Sequence, residues 1–128
     1  MKYKNNPFNI RSGSSWLGLS GTKNGFCEFS DLKYGIRAAA YLLLRSYRKR
    51  GIDQLYTILN RFAPASENNT IDYVYFVSGK TGINKFKKLV YYCDYINILI
   101  AMAYFESHTK LTYKEILNVI DEFKLKLY

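Results

Sequence analysis

The chain has little of several things that small proteins use to hold themselves together or to do chemistry. Only two cysteines, Cys27 and Cys93, occur in 128 residues, far apart and each in apolar or aromatic company. A disulfide framework uses denser cysteine, so the two are expected as buried free thiols. One histidine, His108, leaves no basis for a zinc site, and neither a metal nor a cofactor is called for. No run approaches the ~20 apolar residues of a membrane span. The opening stretch, Met1 to Arg11, is polar and lacks the apolar centre of a secretory signal. The chain is therefore expected to be cytoplasmic as synthesised, reaching any target beyond the membrane by outside help. Acidic residues are also scarce, ten against nineteen Lys and Arg, which leaves a net charge of +9. A field of that sign draws polyanions such as nucleic acid, anionic membrane surface or bacterial wall polymers, and charge alone does not choose among them. The local clusters Arg45, Arg48, Lys49, Arg50 and Lys85, Lys87, Lys88 have an ordinary role as solvated faces.

What the chain does have is apolar and aromatic material, 48% and 17% of residues, enough for one packed core and too aromatic for disorder. A single domain, 1–128, is expected, monomeric and without repeat or linker. From Asn5 to Ser30 the composition is rich in Asn, Gly and Ser, with Phe8, Ile10 and Phe26, Phe29 flanking the run; this predicts an irregular β-hairpin. Ser30 and Asp31 can cap a helix carrying Leu32, Ile36, Ala39, Ala40, Leu43, Leu44 and Tyr47, closed by Gly51. Asp53 is placed to cap a second helix bearing Leu55, Ile58, Leu59 and Phe62 and ending before Pro64. Asn69 or Thr70 caps a third with Ile71, Val74, Tyr75 and Val77 inward, closed by Gly79 and Gly82. Asn84 to Val90 is a basic amphipathic stretch. The most apolar helix, from about Tyr91 to Phe105, is expected at the centre, with Ile96, Leu99, Ile100 and Ala103 inward. Thr112 and Glu115 stand at capping-box spacing before a last helix with Ile116, Val119, Ile120, Phe123 and Leu127 buried. The fold class is mainly helical, α+β.

One carboxylate departs from this pattern. Glu106 follows Ala103 by three residues, Met102 by four and Leu99 by seven, so it continues the apolar stripe of the central helix. Apolar burial disfavours the charged form of an acid, and the negative end of the helix dipole acts in the same direction. Both effects favour a carboxyl still protonated near neutrality, which is what a general acid for glycosidic cleavage requires. The competing reading is a Glu in the last turn that rotates outward into solvent.

The runs Asn6-Pro7-Phe8-Asn9-Ile10-Arg11, Trp16-Leu17-Gly18, Gly25-Phe26-Cys27-Glu28-Phe29 and Gly35-Ile36-Arg37-Ala38 resemble phage virion or lysis proteins of the lysozyme-like superfamily, and the hairpin segment of bacterial glucosaminidases. Ala63 to Thr70, with Glu67, followed by Tyr73, Val74 and Val77, is similar to a segment of lytic transglycosylases. In those families the catalytic Glu ends a helix that precedes the hairpin, and here little chain precedes Asn6. Ile100 to Ser107 looks like that apolar helix with its Glu-Ser ending, moved to the back of the chain. The resemblance thus implies a circularly permuted lysozyme-like domain, which is reasonable because domain termini often lie close together.

On that resemblance the substrate is the glycan strand of peptidoglycan, and Glu106 protonates the leaving glycosidic oxygen opposite residues 7–30. Glu28 is the first choice for a second catalytic group, while Asp31 is explained as a helix cap. Trp16, Tyr34 and Tyr73 are the expected sugar-stacking residues. Asn9, Asn68 and Asn69 are expected to hydrogen-bond the substrate, and Asn69 is equally a helix cap. Arg11 and Arg37 either hold the hairpin to the first helix or meet anionic groups, and His108 reads as a surface residue. The resemblance leaves hydrolysis and transglycosylation open. A second function class is a catalytically inactive virion or wall-binding protein on the same fold. Nucleic-acid binding ranks last, because no recognition motif accompanies the charge.

Overall fold

A computed structural model of the chain describes residues 1–66 and 68–128. It is mainly helical with one small antiparallel hairpin, an α+β arrangement. The hairpin consists of β1 (Leu19–Lys23) and β2 (Phe26–Phe29). Asn24 and Gly25 make its turn, both at positive φ, 52° and 83°, as a tight two-residue hairpin turn demands. Alternation along β2 sends Cys27 and Phe29 into the core and leaves Phe26 and Glu28 partly outward. The β structure is shorter than the Asn5–Ser30 segment suggested, because the first part is a loop held by side chains. Asn6 is fully buried, and its amide donates to the carbonyls of Ile10 (3.0 Å) and Cys27 (2.8 Å) while its oxygen accepts from the Ile10 N–H (2.8 Å). A buried amide with its hydrogen-bonding capacity used in this way fixes a loop that has no ladder of its own.

Asp31 caps α1 (Leu32–Tyr41) by accepting from the Lys33 N–H. The rod continues through a π turn, Leu42–Ser46, into α2 (Tyr47–Lys49), and Gly51 follows at φ 75°. Gly35 in α1 is required by close approach, since a Cβ there would lie 2.0 Å from the Asn5 carbonyl oxygen of the N-terminal loop. Next come α3 (Leu55–Phe62) and α4 (Thr70–Thr81). The cap of α3 is Gln54, not Asp53, whose carbonyl instead accepts the Leu89 N–H at 2.8 Å and keeps that residue outside the helix. Asn69 caps α4 and Gly82 closes it in the left-handed conformation, while Gly79 lies inside the helix.

The expected inner face of α4 is corrected. Ile71 and Tyr75 are 69% and 64% exposed, and Thr70, Tyr73, Val74 and Val77 face the core. Cys93 is likewise exposed, so only Cys27 is a buried thiol. The central helix is α5 (Tyr92–Ser107), with Tyr95, Ile96, Ile98, Leu99, Met102 and Ala103 buried on more than one side; Ile100 is half-buried. It packs against α4 and against α6 (Tyr113–Glu122), whose Thr112–Glu115 capping box is formed in both directions. Leu127 lies beyond α6 and is half-buried, and Leu125 takes the inward position instead. Each of these fully buried aliphatic side chains contributes about 2 kcal/mol of apolar transfer, so α5 anchors the whole domain and gives its C-terminal end a fixed place. Among the described residues no helix is long and apolar enough to cross a membrane.

Candidate active site

The C-terminal end of α5 meets the N-terminal loop, and three hydrogen bonds join them. Ser107 Oγ donates to the Pro7 carbonyl at 2.7 Å. Asn9 Nδ2 donates to the backbone carbonyl of Glu106 at 3.0 Å and to its carboxylate Oε1 at 3.1 Å. Asn9 holds this position at φ 52°, in the left-handed region that Asn tolerates better than most residues. His108 ends α5 in the same conformation, φ 54°, with its N–H on the Tyr104 carbonyl, a C-cap role.

Glu106 is partly buried and lines a cleft of about 300 Å³ between the N-terminal loop and hairpin on one side and the α1–α3 region on the other. Asn9, Arg11, Trp16 and Asn68 line the same cleft, so the fold brings five of the sequence-predicted site residues together. Burial holds the Glu106 carboxyl above the ordinary carboxylate pKa, and this outweighs the opposing hydrogen bond from Asn9, the nearby hydroxyl of Tyr73 and the positive charge of Arg11. The guanidinium of Arg11 also lies over the Phe26 ring, 4.9 Å from its centroid. Trp16 stands edge-on to Tyr41 at 6.2 Å.

Tyr73 has a different place from the one expected. At 1% exposure its ring offers no face to a sugar, and it stacks on Phe105 at 4.0 Å behind the carboxylate. Its buried hydroxyl lacks a well-aligned hydrogen-bond partner yet faces Glu106, and burial together with that neighbouring charge keeps the phenol protonated well above its usual range. Tyr34 is packed too: its ring lies where a Cβ on Gly18 would stand, and it tilts against Phe123 at 5.8 Å. Asn69 is an exposed helix cap whose amide donates to Asp72 at 2.7 Å. None of these three lines the cleft.

Glu28 does not line it either. Its carboxylate accepts the Lys4 N–H at 3.0 Å and secures the N-terminal loop to β2. Among the described residues Glu106 is the single carboxylate in the cleft; Glu67 lies outside the described residues. Sequence reasoning missed Asn6, whose buried amide builds the loop that carries Asn9, and the cleft residues Leu42, Tyr47 and Phe62. Tyr47 is one of the apolar positions of the first helix, and burial pushes its phenol up to about 12, so it stands in the cleft as a neutral group. No group of three or more His, Cys, Asp or Glu able to hold a metal occurs among the described residues.

Taken as a class, this is an α+β domain with a cleft lined by one half-buried acid among the described residues. No family model matches the chain. It is similar to Protein P5 of Pseudoalteromonas phage PM2, 40% identical over 94 residues, which is 66% of this chain and 57% of that protein. The chain therefore spans little more than half the length of this phage relative.

Proposed function

We propose that the chain is a peptidoglycan-cleaving glycosidase of lysozyme or lytic-transglycosylase type, with Glu106 as the general acid. The observation that carries this reading is the state of Glu106: a carboxyl biased toward its protonated form by burial, oriented by Asn9, and lining a cleft with Trp16, Arg11 and Asn68. Desolvation is the usual means of keeping a carboxylic acid able to donate near neutral pH. The position of Glu106 against residues 9–26 is also what a circularly permuted lysozyme-like domain requires, with the acid-bearing helix supplied by the back of the chain.

In the reaction, Glu106 transfers its proton to the glycosidic oxygen as the bond to the anomeric carbon breaks, and the leaving sugar departs as an alcohol. The carboxylate so formed then accepts a proton from the group that attacks the anomeric carbon. Two partners would normally share this work, a second carboxylate holding water. With one carboxylate among the described cleft residues, the proposal takes a hydroxyl of the substrate itself as the attacking group, closing an intramolecular anhydro ring; water in its place gives hydrolysis. Delivery to the wall belongs to the same proposal, as part of a phage particle or lysis system.

A second reading is favoured by one observation. Asn9 engages both the backbone carbonyl and the carboxylate of Glu106, which would equally serve a structural Glu that fastens the N-terminal loop to α5 in a wall-binding or virion protein. Mass spectrometry of material released from purified peptidoglycan separates the two. Anhydro-ended muropeptides support the transglycosylase form, reducing ends the hydrolase form, and binding without release the structural protein.

A further inference from the structure

A second concave site lies on another side of α5. At ~100° per residue Tyr104 and Glu106 are roughly 200° apart on the helix, and the groove that Tyr104 lines shares no residue with the Glu106 cleft. Its volume is about 610 Å³, inside the range of small-ligand sites, ~300–1,000 Å³. Ile100, Ala101 and Leu111 give it an apolar floor. Phe76 from α4 and Tyr104 from α5 stack on each other as one aromatic wall, their rings 6.1 Å apart and 13° from parallel.

The charged groups described in the groove are all of one sign. Lys80 and Lys110 line the groove, and no acidic side chain does so among the described residues. Lys80 rests over the Phe76 ring, 5.8 Å from its centroid, and among the described residues neither lysine has an ion-pair partner, whereas Lys33 and Lys87 each meet a carboxylate elsewhere on the surface. Asn97 adds an exposed side-chain amide to the same lining, a donor and an acceptor on one residue.

We infer that this groove binds the end of a short peptide: an apolar side chain on the floor beside the Phe76–Tyr104 ring pair, a free carboxylate at Lys80 and Lys110, and a backbone amide against Asn97. Charge complementarity is the deciding argument. Two cations without an ion-pair partner among the described residues, set at a concave apolar surface, favour a carboxylate, and the floor favours one attached to an apolar body. The inference stands apart from the glycan-cleaving reading, since it uses none of the cleft residues.

The test is an NMR titration of the full chain with N-acetyl-Ala-Leu bearing a free carboxylate, and with the same dipeptide ending in an amide. Saturable shifts at Phe76, Ile100 and Tyr104 are expected. Binding should weaken about tenfold for the amide, and several-fold in Lys80→Gln and in Lys110→Gln, with Trp16 fluorescence unchanged because Trp16 lies in the other cleft. Equal binding of acid and amide would overturn the inference, and so would absence of saturable shifts or shifts centred on Trp16 and Asn9. Shifts of the groove signals on raising protein concentration alone would also overturn it, in favour of a second copy of the chain. Both lysines are exposed, so their variants are expected to fold, and an unchanged dispersion of amide signals verifies that.

Discussion

The side-chain amide of Asn9 holds the carboxylate of Glu106 across 97 residues of sequence, at 3.1 Å, and the backbone carbonyl of the same residue at 3.0 Å. This fixes the one partly buried acid of the cleft to the loop that faces it. The hydrogen bond lowers the pKa of Glu106 and burial raises it, with burial the larger effect. The acid therefore responds to both its depth and its partner.

Replacing the partner gives the first prediction. Asn9→Asp keeps the shape and tolerates the left-handed backbone, but it removes the donor and places a like charge beside the carboxylate. The pKa of Glu106 is expected to rise further, read by NMR titration of its side-chain carbon, and the alkaline limb of any wall-releasing activity should move to higher pH. An unchanged titration would mean that Asn9 does not set the state of the acid.

Stability carries the same signature. Because the folded-state pKa of Glu106 lies above the ordinary value, the native chain keeps a proton that the unfolded chain has already lost within that window. The free energy of unfolding then falls as pH rises from the ordinary carboxylate range through the raised value, and the full contribution of the neutral acid is present only below the ordinary value. Glu106→Gln stays neutral throughout. Thermal melts from about pH 4 to about pH 8 should therefore show the native chain losing ground to the variant as pH increases. A gap that stays constant, or that moves the other way, would contradict a desolvated Glu106.

The loop that carries Asn9 depends on Asn6. Its three hydrogen bonds span 2.8–3.0 Å in a fully buried site, so Asn6→Ala leaves the Ile10 N–H and two carbonyls without that partner. A loss of about 3 kcal/mol is expected in chemical denaturation, the scale for stranding buried polar groups. A loss under about 1 kcal/mol would show that the loop is held by other contacts.

Much of this frame is legible in the sequence, because it rests on local rules. Asp31, Asn69, Gly82 and the Thr112–Glu115 box cap helices as their residue types predict, and Leu99, Met102 and Ala103 define the stripe that Glu106 continues. The inner face of α4 was not legible. Ile71, Val74, Tyr75 and Val77 satisfy helical spacing, and so does the buried set Thr70, Tyr73, Val74 and Val77; packing such as that of Tyr73 against Phe105 selects the second. The places of Tyr34 and Tyr73 were not legible for a related reason, since a tyrosine that stacks on a ligand and one that packs within the protein look alike in sequence. Asn6 gave little local signal, because its partners, Ile10 and Cys27, meet it only after the loop has folded onto β2. The π turn at Leu42–Ser46 lies in a run of ordinary helix formers and had no marker at all.

The central claim is that Glu106 donates the proton that breaks a glycan strand. It is tested most directly by the rate at which the purified chain and its Glu106→Gln variant release soluble muropeptides from the same peptidoglycan, with matched circular dichroism showing both folded. The account predicts release by the native chain and a fall of about 10³-fold in the variant, the scale of losing a general acid. Equal release by both chains would contradict it.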